Sequence, residues 1–147
     1  MDAADFFGST PLHIACSTDK LEVVRALLDG GAAVDNMRGP GEAEDETPLF
    51  LACEEGSLAV VRELITRGAN VNLAMLSDNY TPLHVASRLH HVNVVRELLA
   101  AGATIDLETD EGATAFSLAA ALEQMTPSKQ ATLNLLEDWQ LAHPAAP

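Results

Sequence analysis

Residues 10–15 read TPLHIA, residues 47–52 read TPLFLA and residues 81–86 read TPLHVA. Residues 114–119, TAFSLA, form a weaker fourth copy, and the spacings are 37, 34 and 33 residues. A second signal follows each of the first three. It reads VVRALLDGGAAVD from Val23, VVRELITRGANVN from Val60 and VVRELLAAGATID from Val94. Two signals in fixed order, recurring at about 33 residues, mark an internal repeat.

Each signal has a physical reading. Thr10, Thr47 and Thr81 suit a helix N-cap, and Pro11, Pro48 and Pro82 suit the first helical position, where no N–H is needed. A short helix follows. The second signal carries Val23, Val24, Leu27 and Leu28 at helical spacing, so Leu27 is expected in the core. Gly31, Gly68 and Gly102 stand just past that helix, where a left-handed residue closes it. One such pair cannot bury its apolar face alone, but stacked pairs share a continuous core.

These units resemble ankyrin repeats, whose pattern joins a turn, T-P-L-H-x-A, V-V-x-x-L-L and G-A-x-V-N. The match covers roughly residues 4–140, with three good copies and one degenerate copy. The resemblance implies an all-α solenoid of four helix-turn-helix units with β-hairpin-like connecting fingers. The approximate units are 4–36, 37–72, 73–106 and 107–141, followed by a disordered tail at 142–147. It also implies that His13 and His84 hydrogen-bond around the helix start and help link neighbouring units.

The departures are specific. Phe50 takes the histidine's place in the second copy, exchanging a polar bond for apolar packing. Asp45 and Asn79 replace the turn glycine kept at Gly8 and Gly112. The glycine between the two helices survives only at Gly56, with Asp19, His90 and Glu123 elsewhere. Residues 36–46 make the second boundary four residues longer than the standard one, and Gly39-Pro40-Gly41 make it a loop. The fourth copy has Ala115 and Ser117 for proline and histidine. It then restarts at Thr126-Pro127 as a terminal cap.

Composition narrows the function. The chain has 147 residues, 48% of them hydrophobic and only six aromatic, which suits close helix packing. Eight basic against 22 acidic residues give a net charge of −14, a surface that repels nucleic acid and anionic membrane. There is no apolar run of 18 residues and no secretory leader, so a cytoplasmic or nuclear location is expected. Cys16 and Cys53 occupy equivalent places and read as two buried thiols, not a bridge. No G-x-S-x-G, P-loop or H-E-x-x-H pattern is present, so no enzyme, metal or cofactor is expected.

The expected activity is protein recognition. Arg25, Arg62 and Arg96 recur after the paired valines and should align on the outer side, with Glu63 and Glu97 beside them. The acids gather elsewhere, at Glu42, Glu44, Asp45 and Glu46 and at Asp106, Glu108, Asp110 and Glu111. In the family that this chain resembles, the finger tips and the exposed end of the first helix form the contact surface. Carried over, that surface includes Phe6 and Phe7, then Glu44, Glu46, Glu54 and Glu55. It continues with Asp78, Tyr80, Arg88 and Leu89, then Asp110 and Glu111. Tyr80 is the expected anchor, since interface hot spots favour tyrosine. The partner expected is another protein, with a basic segment drawn by the acids. The alternatives are a stoichiometric inhibitor of an enzyme such as a kinase, or a structural segment of a larger repeat assembly.

Overall fold

In the computed structural model, each repeated threonine ends an extended segment and a helix begins at the next residue. The structure describes residues 3–5, 8–38, 45–121 and 124–144. The inner helices of the four units are α1 (Pro11–Ser17), α3 (Pro48–Glu54), α5 (Pro82–Arg88) and α7 (Ala115–Ala120). The outer helices are α2 (Leu21–Asp29), α4 (Leu58–Thr66), α6 (Val92–Ala100) and α8 (Pro127–Ala142). Among the described residues there is no strand.

The histidines act at the helix starts. The Thr10 and Thr81 backbone N–H groups donate to Nδ1 of His13 and His84, at 3.1 and 3.0 Å. An accepting Nδ1 leaves the ring proton on Nε2. That proton lets His84 donate to the Leu107 carbonyl at 2.9 Å, tying the third unit to the loop before the fourth. Ser117 keeps the local part of this device: its Oγ accepts from Thr114 N–H at 2.9 Å, but it lacks the ring's reach. In the second unit Thr47 Oγ1 accepts from Phe50 N–H at 3.1 Å, and the Phe50 ring turns to packing.

Between paired helices the backbone turns left-handed, with φ of +53° at Asp19, +70° at Gly56 and +58° at His90. Asp tolerates this conformation better than most residues. Gly31, Gly68 and Gly102 close the outer helices at +90°, +88° and +94°.

Inner helices pack in series, as do outer helices, and the two of each unit pack on one another. Leu12, Leu49 and Leu83, just after each proline, are buried. Ala15, Ala52, Ala86 and Ala119 are buried beside them, and their small side chains let the inner helices approach closely. Burying a leucine fully stabilises by roughly 1.5–3 kcal/mol, so this repeated row accounts for much of the core. Cys16 and Cys53 are buried free thiols. Burial pushes Cys16 up to about 12 and Cys53 higher still.

One core expectation is corrected. Leu27 is only partly buried, although its equivalents Leu64 and Leu98 are fully buried. α2 packs on α1 and α4, so among the described residues its other side is open. Val24 is the residue of α2 that is fully buried.

The outer arginines pair across unit boundaries. Arg25 Nε meets Glu63 at 3.1 Å, and Arg62 Nε meets Glu97 at 2.8 Å. Arg67 adds Asp29 across the boundary at 2.7 Å and Glu63 within its own unit at 3.0 Å. These exposed pairs set alignment more than stability.

Candidate functional site

In the second and third units, the loop that precedes the inner helix and the last turn of that helix face one side. Between the second and third units they enclose a cleft of about 280 Å³. Glu46, Phe50 and Glu54 come from the second unit. Met75, Asp78, Tyr80 and Arg88 come from the third.

Tyr80 organises this cleft. Its ring stands edge-on to Phe50, with centroids 6.4 Å apart, and tilts toward His84 at 5.4 Å. Arg88 Cζ lies over the ring, 5.9 Å from its centroid. The loop is shaped by short-range bonds. Met75 N–H donates to the Tyr80 carbonyl at 2.9 Å, and Tyr80 N–H donates to Asp78 Oδ1 at 3.0 Å. Asn79 turns left-handed at φ +58°, which asparagine tolerates, so the turn survives without glycine. Burial holds the Tyr80 phenol above its ordinary range; Arg88 opposes this, while Asp78 and Glu111 add to it.

The next loop is tied on. Asn79 Nδ2 donates to Asp110 Oδ1 at 2.6 Å, and Asp110 N–H donates to the Asp78 carbonyl at 2.9 Å. Asp110 therefore works partly inside the fold.

Glu46, expected on the contact surface, is largely withdrawn from it. It is buried, and its carboxylate holds Arg38 Nη1 at 2.6 Å. Arg38 Nε also donates to Ser9 Oγ at 2.7 Å, and Arg38 N–H donates to the Glu46 carbonyl at 3.1 Å. The long boundary is thus closed at its base. Burying a carboxylate needs such a charged partner.

The structure brings Glu46, Glu54, Asp78, Tyr80 and Arg88 together. Glu55, Leu89, Asp110 and Glu111 are exposed but do not line the cleft. Phe6, Phe7 and Glu44 lie outside the described residues, as do Glu42, Glu123 and the loop glycines Gly39 and Gly41. Phe50 and Met75 were not among the expected contact residues. The loss of histidine at Phe50 was the available signal, because an aromatic ring there needs something to pack against.

Family models reproduce the repeat. One described as ankyrin repeats in three copies matches residues 1–75, and one for a single ankyrin repeat matches residues 78–110. The chain belongs to the ankyrin-repeat family. No curated protein matches it. Ankyrin repeats are generally protein–protein interaction modules, and proteins built from them are typically not enzymes. Beyond residue 110 this ankyrin chain continues with the α7–α8 pair, which packs on α5 and α6. Among its described residues no helix is long and apolar enough to cross a membrane.

Proposed function

We propose that this ankyrin-repeat chain recognises a protein partner through its inner-helix ends and preceding loops, with an acidic bias toward a basic segment. The observation that carries the reading is the convergence of Glu46, Glu54, Asp78, Tyr80 and Arg88 on one cleft. A half-buried tyrosine held by packing against Phe50 and lining the cleft is a suitable anchor. Rigid presentation limits the entropy lost on binding. Phe6, Phe7, Glu44, Glu55, Leu89, Asp110 and Glu111 extend the proposed surface on either side. The net charge of −14 favours a basic protein over nucleic acid or an anionic membrane, in the cytoplasm or nucleus.

Affinity capture from the source cell tests this reading, with the native chain and Tyr80→Ala as baits at low and high salt. Partners should bind the native chain, leave at high salt and avoid the variant. The reading fails if every captured protein binds Tyr80→Ala as well as the native chain while both remain helical.

A second reading, a segment of a larger assembly, has its own observation. Ile14 is 51% and Val23 49% exposed, whereas their equivalents Leu51, Val85, Val60 and Val94 are between 0% and 7% exposed. The first unit thus carries an open face that interior units cover by stacking. Molecular mass measured across a concentration series tests it; a constant monomer mass counts against self-association.

A further inference from the structure

We infer that the cleft beside Tyr80 receives an arginine side chain from an extended basic segment of the partner. This rests on the protein-recognition reading above and names the chemistry that the site selects.

The first support is the ring itself. The ring of Tyr80 already faces a guanidinium, with Arg88 Cζ over it at 5.9 Å from the centroid. That is the outer limit of cation–π attraction, roughly 6 Å. Arg88 is exposed and has no ion pair among the described residues. It is a loose occupant that a better-placed guanidinium displaces.

The second support is the charge around the ring. The Glu54 carboxylate makes no hydrogen bond or ion pair among the described residues. Asp78 uses Oδ1 for the Tyr80 N–H. Its other oxygen remains to accept. Glu46 is committed to Arg38 and contributes little to an incoming cation. Glu55 and Glu111 are exposed on neighbouring loop and helix ends and draw the segment in.

The third support is the floor. Phe50 and Met75 offer apolar surface for an alkyl stem, and amphipathic side chains pack in this way. A volume of about 280 Å³ suits one long side chain better than a drug-sized ligand. Arginine fits better than lysine, because its planar fork stacks on aromatic faces and bridges carboxylates.

The test is a nuclear magnetic resonance titration with hexa-arginine, read at the ring signals of Tyr80, the one tyrosine of the chain. Saturable movement of those signals is expected, with weaker binding of hexa-lysine. Tyr80→Leu, followed at the backbone amide signals of Glu54 and Asp78, should weaken binding about three- to fivefold, the size of an exposed cation–π contact. Glu54→Gln should also weaken it, in a variant that leaves the ring packing intact. Arg88→Gln should strengthen it by removing the competing cation. Glu137→Gln, on the outer helix of the fourth unit, should change nothing. Unmoved Tyr80 signals, equal binding of hexa-lysine, or equal losses from Glu137→Gln and Glu54→Gln would each overturn the inference. Captured partners indifferent to Tyr80→Ala would instead sink the recognition reading, whatever the peptide does.

Discussion

The ring of His91 rests against Gly56. A Cβ at residue 56 would come within 2.6 Å of His91 Nδ1 and 2.7 Å of its Cε1. On its other side the ring donates from Nε2 to the Glu54 carbonyl at 2.9 Å. The third unit therefore grips the end of an inner helix in the second. Asp19 and His90 show that the left-handed turn accepts other residues; the close approach of His91 is what singles out Gly56.

Gly56→Ala should therefore destabilise more than Gly68→Ala. Both add a side chain to a left-handed residue, at φ +70° and +88°. That backbone penalty is roughly 1–2 kcal/mol. At Gly68 nothing lies within 4 Å of the new carbon, so the backbone term stands alone. At Gly56 the His91 ring must move and its bond to Glu54 is lost, adding about 0.5–1.5 kcal/mol. Urea unfolding of both variants checks this, and equal losses would remove the ring from the explanation.

Ser87→Ala should stabilise the chain. Ser87 occupies the place held by Cys16 and Cys53, is fully buried, and its hydroxyl has no hydrogen-bond partner among the described residues. Burying an unpaired hydroxyl costs about 1–3 kcal/mol on mutational scales. A gain of roughly 1 kcal/mol is expected, with part of the relief lost to the small void. Thermal unfolding reads the sign directly. A loss would mean that the hydroxyl has a partner.

Leu83→Ala and Leu27→Ala should separate interior from end positions. Leu83 is buried at 1% exposure, so truncation should cost about 2–5 kcal/mol. Leu27 is only partly buried and should cost clearly less. Chemical denaturation of the two variants decides it. Equal effects would show that something covers the first unit in solution.

Acid should weaken the fold through His84 and His90. Burial lowers both below the ordinary histidine value of about 6.5; backbone hydrogen bonds at Leu107 and Ala113 partly oppose it at His84, and Lys129 and His91 reinforce it at His90. A depressed histidine means that the unfolded chain binds the proton more readily. The contribution is thus fully present above pH 6.5 and is lost as pH falls through the lower folded values. His90→Asn keeps a residue that tolerates φ +58° and removes that titration. Its stability should fall less between neutral and mildly acidic pH. An unchanged slope would clear His90 of the effect.

Much of the fold was legible because its signals are local. A threonine before a proline, paired valines at helical spacing and a closing glycine act within one turn of chain. The candidate site was legible in part, since the position of Tyr80 between turn and helix follows from the same period. Its packing was not. The Phe50–Tyr80, Arg38–Ser9 and Asn79–Asp110 contacts each join residues about 30 positions apart. No local propensity encodes such a meeting.

By itself the sequence determined the repeated helix pair, its order and its acidic charge, because backbone preference and periodicity operate over a few residues. Only the tertiary structure decided what fills each equivalent position's surroundings. Stacking buries Leu64 and leaves Leu27 half open, and draws Glu46 inward to Arg38. It also sets His91 against Gly56, where a missing Cβ leaves room for the ring. The physical reason is that a repeat repeats its own atoms, but not the neighbour that covers them.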